Sequence, residues 1–210
     1  MKRIFIIVFL GLTINSCNNN VVDPSSSSNV HLIPFSTSNK WIFSQTTYDS
    51  LGSVSSVYLD TIQFLDTIIS NITWFHTKNN DWAYANSNSG VISRLIDDNH
   101  IFLSYKYPAV QGERYGSPSL AHADIGNAWL VDTEYYTTVL QIDTVISVPA
   151  GNYHCLLYQT RSYNSNIGFY ENEYISPGYG WIKLETYFIY NSSKNYYLKY
   201  SLEALKLIIQ

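Results

Sequence analysis

Apolar and polar side chains alternate with a period of two along most of the chain beyond residue 40, and this pattern constrains the fold most strongly. A period of two is typical of β-strands with one buried face, because successive side chains of a strand point to opposite sides. No stretch long enough for an ordinary helix shows the helical period. Tyrosine, which is enriched in strands, occurs 19 times in 210 residues. The sequence therefore predicts an all-β fold.

Short turn sequences separate the predicted strands, among them Gly52-Ser53, Ser70-Asn71 and Pro177-Gly178-Tyr179-Gly180. Strands joined by short turns pair antiparallel, so we expect an antiparallel meander of roughly a dozen strands. The longest alternating run, residues 54–69, is interpreted as one continuous strand. A sheet of this size leaves two open edges, and we therefore expect it to curl into a barrel or half-barrel.

The alternating pattern stops between residues 108 and 127. This stretch holds three glycines and two prolines, and a long connection without regular structure is uncommon inside a compact domain. Two interpretations remain open: a functional loop, or a seam between two similar halves. The second agrees with an internal repeat, in which Asn39-Lys40-Trp41 and Asn127-Ala128-Trp129 each precede a strand-like run.

The N terminus begins with Met1-Lys2-Arg3, followed by an apolar run from Ile4 to Leu12. A transmembrane helix needs ~20 apolar residues, so this run is too short to span a bilayer. A short positive segment followed by a short apolar one is the pattern of a secretory signal peptide. We therefore expect residues 1–16 to direct export and then to be removed.

Cys17 comes shortly after this apolar run, within the sequence Ile14-Asn15-Ser16-Cys17. The segment resembles the lipobox of bacterial lipoproteins, with isoleucine where leucine is usual. The resemblance implies that Cys17 becomes the first mature residue and carries a diacylglycerol whose acyl chains, such as palmitate, anchor it to a membrane. Residues 17–30, rich in serine and asparagine, are then a flexible tether. The alternative is an ordinary secreted protein in which Cys17 has no such role.

The charge and the cysteine content of the mature chain narrow its partners. Loss of residues 1–16 removes Lys2 and Arg3, so ten of the 12 basic residues remain against 16 acidic ones, a net charge of −6. No basic stripe occurs, which argues against nucleic acid as a partner. Residues 31–210 have the length of a single domain with its own core. Cys155 lies in an apolar run and is expected to be a small buried hydrophobe.

Three stretches of the mature chain, residues 32–41, 148–153 and 174–183, resemble a group of uncharacterised bacterial envelope lipoproteins. Their features are an Asn-x-Trp entry to the first strand, a Pro-Ala-Gly-Asn hairpin and a Gly-x-Gly turn followed by lysine. That group is similar in architecture to the curled antiparallel half-barrels of lipoprotein carriers. The resemblance implies a concave sheet that could hold an acyl chain, and it supports no enzymatic activity by itself.

One group of polar residues lies in or beside the aperiodic stretch, where His122 and Asp124 stand near Glu113 and Arg114. Such a group could bind a metal ion or an anion, and it could equally be an ordinary polar loop. The zinc-site spacing His-Glu-x-x-His is absent, and no cysteine cluster occurs. We therefore assign no metal ligand and no cofactor-binding residue.

A second group consists of Glu171 and Glu173 on one face of a predicted strand, with Glu185 on the neighbouring strand. Paired carboxylates carry out acid–base chemistry in glycosidases, and the alternative is the solvated face of a sheet. No Gly-x-Ser-x-Gly nucleophile elbow is present. Tyrosines clustered near the C terminus could stack on sugars or could simply pack within the sheet. No residue is assigned a catalytic role.

Together these features predict a non-enzymatic lipoprotein of the bacterial cell envelope, anchored through Cys17 to the outer membrane on its periplasmic or surface face. Its β-domain is expected to bind a hydrophobic ligand or an envelope partner. The alternative is a carbohydrate-active or other hydrolytic envelope protein that uses residues 108–127 or the Glu171/Glu173 face. An apolar concavity would favour the first interpretation, and carboxylates in an open cleft would favour the second.

Overall fold

The computed structural model describes residues 30–78, 80–98, 100–116, 135–162, 169–190 and 195–210. Within these ranges the regular structure consists of β-strands, so the all-β prediction is confirmed. No helix there is long and apolar enough to cross a membrane. The strands are β1 (Lys40–Tyr48), β2 (Val54–Gln63), β3 (Leu65–Ile69), β4 (Ile72–His76), β5 (Trp82–Ser87), β6 (Gly90–Leu95), β7 (Phe102–Lys106), β8 (Arg114–Gly116), β9 (Tyr135–Val148), β10 (Gly151–Ser162), β11 (Phe169–Ser176), β12 (Gly180–Tyr190) and β13 (Asn195–Ile208).

The strands form two antiparallel sheets. The larger sheet has eight strands in the order β2-β1-β13-β12-β11-β10-β9-β8, and the smaller has five in the order β3-β4-β5-β6-β7. Paired strands are consecutive in the chain, except that β1 pairs with β13. The predicted antiparallel meander is therefore confirmed, with the first and last strands side by side in the larger sheet.

The predicted closure into a barrel is not observed within the described residues. β2 and β3 follow one another in the chain without pairing, and so do β7 and β8. The two sheets pack their apolar faces against each other. The larger sheet is also bent, since β9 approaches β12 and β13, which lie three and four strands away from it in the sheet order.

Residues 54–69 are not the single strand that the sequence pattern predicts. The alternation runs through this stretch without a break, but the strand divides at Phe64, which is buried between β2 and β3. The chain leaves the larger sheet at this residue and enters the smaller one. It returns after β7, through Pro108, whose peptide bond with Tyr107 is cis, to β8. Residues 117–127 of the suggested seam lie outside the described residues, so that interpretation stays a prediction.

An aromatic cluster fills the core between the sheets. Trp181 of β12 lies at its centre, with its ring 6.0 Å to 6.4 Å from five other aromatic rings that come from both sheets and from the segment before β1. Most of these contacts are edge-to-face, the geometry that aromatic quadrupoles favour. The five partners of Trp181 are Phe35, Trp41, Phe64, Tyr84 and Tyr105.

The predicted turn at residues 177–180 is present, and it holds Trp41 in this cluster. The indole Nε1 of Trp41 donates a hydrogen bond to the carbonyl oxygen of Tyr179 at 2.6 Å. Gly180 has a φ of 82°, and a Cβ added there would lie 3.0 Å from the same indole nitrogen. Glycine is therefore required at this position both for the backbone conformation and for the approach of the tryptophan.

Candidate functional site

Two glutamates are buried between the sheets. Along β11, Phe169, Glu171, Glu173 and Ile175 share the inward face, and each glutamate is only 2% exposed. The solvated-face alternative raised for these two residues is therefore wrong. The signal for their burial in the sequence was that they alternate in step with the apolar Phe169 and Ile175. This signal is weak, because tyrosines on the opposite face of the same strand make the two faces similar in hydrophobicity.

Glu173 links the two sheets through hydrogen bonds. The hydroxyl of Tyr105, on β7 of the smaller sheet, donates to Glu173 Oε1 at 2.6 Å. The indole Nε1 of Trp181 in turn donates to that hydroxyl at 3.3 Å. The Glu173 carboxyl is thus the final acceptor in a chain of two hydrogen bonds, from Trp181 to Tyr105 and from Tyr105 to Glu173. These bonds connect the aromatic core to β11.

Glu171 is less completely satisfied. Its Oε1 accepts hydrogen bonds from Thr186 Oγ1 at 2.9 Å and from the hydroxyl of Tyr200 at 3.4 Å. Its Oε2 is buried without a hydrogen-bond partner among the described residues. A buried acceptor left unpaired costs free energy when it is charged, which favours the protonated carboxyl here.

The electrostatics of the pair follow from this burial. Desolvation raises the pKa of both carboxyls above the ordinary value, and the charge of Glu171 raises the pKa of Glu173 further. The hydrogen bonds from Thr186, Tyr200 and Tyr105 act in the opposite direction. No ion pair found within the described residues includes either glutamate. Two adjacent buried carboxyls without a cation cannot both ionise readily, so the pair retains protons to higher pH than exposed glutamates do.

The arrangement does not form an open catalytic cleft. Raised carboxyl pKa values are common at acid–base sites, but a general acid must come within hydrogen-bond reach of its substrate. Glu171 and Glu173 are enclosed by core side chains and reach no solvent-filled cleft. No group of three or more metal-binding side chains converges within the described part of the chain.

Glu185 does not join this pair, contrary to its grouping with Glu171 and Glu173 from the sequence. It lies opposite Asn172 in the β11–β12 register and therefore on the outer face. There it forms an ion pair with Lys183 at 3.0 Å, and it accepts a hydrogen bond from the hydroxyl of Tyr187 at 3.2 Å. Neighbouring strands place residues of one face opposite each other, and Thr186, not Glu185, is opposite Glu171.

The other predicted groups are only partly described. His122, Asp124 and Cys17 lie outside the described residues. Glu113 accepts a hydrogen bond from the ammonium group of Lys106, and the guanidinium of Arg114 lies 3.4 Å from the centre of the Tyr136 ring.

Cys155 is buried as predicted. Its side chain is almost fully enclosed, and burial raises the pKa of its thiol to about 12. The prediction of a small buried hydrophobe is confirmed.

A second candidate site lies on the surface, at the β2 edge, which we define as residues Val54–Gln63. β2 is the outermost strand of the larger sheet and pairs only with β1 within the described residues. Natural edge strands are commonly protected by charged side chains, by proline, by β-bulges or by being short. β2 has ten residues, of which only Asp60 is charged, and no proline. Its register on β1 shifts once, between Val54 and Ser56 at the start of the strand. Its exposed apolar side chains are Val54, Val57, Tyr58 and Leu59. Leu65 and Ile68 are exposed apolar side chains on β3, an edge strand of the smaller sheet.

Comparison with known proteins yields little beyond a distant structural likeness. No protein-family model matches the chain, and no curated protein does. A structure described as an exported protein with a YmcC-like fold from Bacteroides fragilis has a TM-score of 0.42 and 12% identity, covering 86% of this chain and 100% of that one. A structure described as a lipoprotein from Parabacteroides distasonis has a TM-score of 0.39 and 18% identity, covering 87% and 100% respectively. At these scores neither likeness supports an argument about function.

Proposed function

We propose that this chain is a lipoprotein of the bacterial cell envelope, anchored to the outer membrane through Cys17, and that its β-domain is a non-enzymatic module that binds another envelope protein. The anchor is supported by the signal-like N terminus and the lipobox-like segment ending at Cys17. The binding role is carried by one observation, the long, open and apolar β2 edge.

An open strand edge favours a polypeptide partner. Half of the backbone N–H and C=O groups of an edge strand point away from the sheet, and an added strand pairs with them while side-chain contacts give specificity. The exposed valine, tyrosine and leucine of the β2 edge supply those contacts. Val57 and Leu59 project from one face of the strand and Tyr58 from the other, so an added strand would meet exposed apolar side chains on both faces.

Storage of an acyl chain between the sheets has less support. The carrier resemblance implies an apolar concavity, yet aromatic rings occupy the core at contact distances. The buried Glu171 and Glu173 also place two polar groups where an acyl chain would need an apolar lining. Among the described residues, the surface therefore suits a hydrophobic ligand better than the space between the sheets.

Hydrolysis of a carbohydrate has less support for a related reason. Glu171 and Glu173 are the paired carboxyls that such a mechanism would use, and both are enclosed in the core. That activity would require the two sheets to separate far enough to admit a sugar.

The anchor is tested by metabolic labelling with radioactive palmitate in a bacterial host. The wild-type chain is expected to take up label and to sediment with membranes, and Cys17→Ser is expected to do neither. Cys155→Ser is the matched control and should be labelled like the wild type, because Cys155 is buried in the fold. An exported wild-type chain that remains unlabelled would contradict the anchor.

The binding role is tested by placing a photo-reactive benzoylphenylalanine at Leu59 in the full-length chain, in intact cells. The β2 edge is expected to give a discrete cross-linked adduct that mass spectrometry can identify. The same substitution at Val110, an exposed apolar residue in the loop between β7 and β8, is the control. A discrete adduct from position 59 alone supports the proposal, and adducts that are absent or equal at both positions count against it.

A further inference from the structure

We propose that the protein bound at the β2 edge is a second copy of this chain, joined by antiparallel pairing of β2 with β2 of the other copy. This inference rests on the proposed function and names its partner. Such a contact is isologous, with the same surface on both copies, and it closes after two copies.

The sequence of β2 is self-complementary about Tyr58. With a two-fold axis at that residue, Tyr58 lies opposite Tyr58 of the second copy, and Val57 lies opposite Leu59. The exposed fractions of these side chains are 47% for Tyr58, 61% for Val57 and 71% for Leu59. The pairing would therefore bring together three of the four exposed apolar side chains of the strand. Aromatic and branched aliphatic cross-strand pairs are the kind that stabilise antiparallel sheets.

The pairing about Tyr58 also suits the polar residues of the strand. Asp60, the charged residue of β2, lies opposite Ser56, so no two carboxylates face each other. Like charges placed directly opposite would weaken the pairing, and this register avoids them.

Neighbouring registers are less complementary. Because side chains alternate with a period of two, the register can shift only in steps that keep each residue on its own face. With the axis moved to Leu59, Tyr58 would lie opposite Asp60. With the axis moved to Val57, Tyr58 would lie opposite Ser56. Each shift replaces the Tyr58–Tyr58 pair by a contact between tyrosine and a smaller polar side chain, so the sequence favours the axis at Tyr58.

The opposite edge of the larger sheet is only partly covered. β8 has three residues and pairs with β9 at Tyr136, Thr137 and Thr138, so within the described residues β9 has no partner strand on that side from Leu140 to Val148. Asp143 lies in the middle of that stretch, paired with His154, and a charge within an edge strand resists strand addition. The β2 contact itself is complete after two copies, because both copies use the same edge. The lipid anchors of both copies would confine them to the same membrane and raise their effective concentration.

Disulfide trapping of the full-length lipidated chain in isolated membranes tests this arrangement. Because Tyr58 lies opposite itself, Tyr58→Cys places two thiols on residues whose Cα atoms are ~4.5–5.5 Å apart, within disulfide range. Thr61→Cys is the matched control on the same exposed strand, since its two copies would be roughly 20 Å apart at strand spacing. Under a mild oxidant, Tyr58→Cys is expected to give roughly ten-fold more dimer than Thr61→Cys because of this geometry.

A second variant addresses the contact itself. Leu59→Lys introduces a charge opposite Val57 and should abolish the dimer that Tyr58→Cys traps. Because Leu59 is exposed, the substitution is expected to leave the fold intact, so that loss of the dimer reports on the contact itself. Equal trapping at positions 58 and 61, or none at 58, would overturn the dimer. An adduct of benzoylphenylalanine 59 with a different protein, together with no trapping at 58, would overturn the dimer and leave the binding role standing. If neither benzoylphenylalanine 59 nor Tyr58→Cys gives an adduct, both the dimer and the binding role are refuted.

Discussion

Replacing Glu173 with glutamine tests the main electrostatic feature of the core, the carboxyl that accepts the Tyr105 hydroxyl beside Glu171. Burial raises the pKa of both glutamates in the folded state above the ordinary value of 4.5. The folded state therefore binds more protons than the unfolded state between that value and the folded pKa. Stability contributed by the protonated pair is fully present below the unfolded pKa and is lost as pH rises through the folded pKa.

The size of the effect follows from the degree of burial. One pKa unit corresponds to ~1.4 kcal/mol, and fully buried carboxyls shift by up to ~3–5 units. The hydrogen bonds to Tyr105, Thr186 and Tyr200 offset part of this. We therefore expect the wild-type free energy of unfolding to fall by on the order of 4 kcal/mol between about pH 5 and about pH 8. Glu173→Gln should lose roughly half of that fall, since glutamine cannot ionise.

Urea unfolding of residues 18–210, followed by tryptophan fluorescence at several pH values, measures this directly. Trp181 donates a hydrogen bond to Tyr105 in the core, so its fluorescence is expected to change when the core unfolds. Glu185→Gln is the control, because this glutamate pairs with Lys183 on the face of the sheet opposite to the buried Glu171 and Glu173. The argument fails if wild-type stability is constant or increases from pH 5 to pH 8, or if Glu173→Gln and Glu185→Gln change the slope equally.

Three further predictions concern packing. Gly90→Ala should lower the free energy of unfolding by roughly 2–4 kcal/mol, because the added Cβ would lie 2.0 Å from a backbone oxygen of β7. Gly52→Ala is the control and should cost only about 1 kcal/mol, because its added Cβ meets open space. Equal costs of the two substitutions in urea titrations would contradict the reasoning. Trp41→Phe should cost roughly 1–3 kcal/mol by the same assay, through loss of the hydrogen bond to Tyr179, and a smaller change would show that bond to be dispensable. The thiol of Cys155 should stay unmodified by a soluble thiol reagent at pH 8 and react only in urea, since burial raises its pKa; rapid labelling of the folded chain would refute this.

Much of the local structure is determined by the sequence alone. The period-two alternation identifies strands because it records which side chains can share one face, and that property needs no knowledge of distant residues. Glycine and proline at residues 177–180 similarly predict the turn before β12, since they restrict the backbone within a few residues. The buried character of Cys155 follows from its apolar neighbours. These are the features that local chemistry decides.

The tertiary structure alone decides where the chain passes from one sheet to the other and which face of each strand is buried. Alternation through residues 54–69 has no break at Phe64, and only packing divides the run between two sheets. The same alternation places Glu171 and Glu173 on one face and Glu185 on a neighbouring strand, but it cannot state which faces meet. Pairing of β11 with β12 sets Thr186 opposite Glu171 and turns Glu185 outward. The physical reason is that a strand pattern is symmetric between its two faces until distant strands cover one of them.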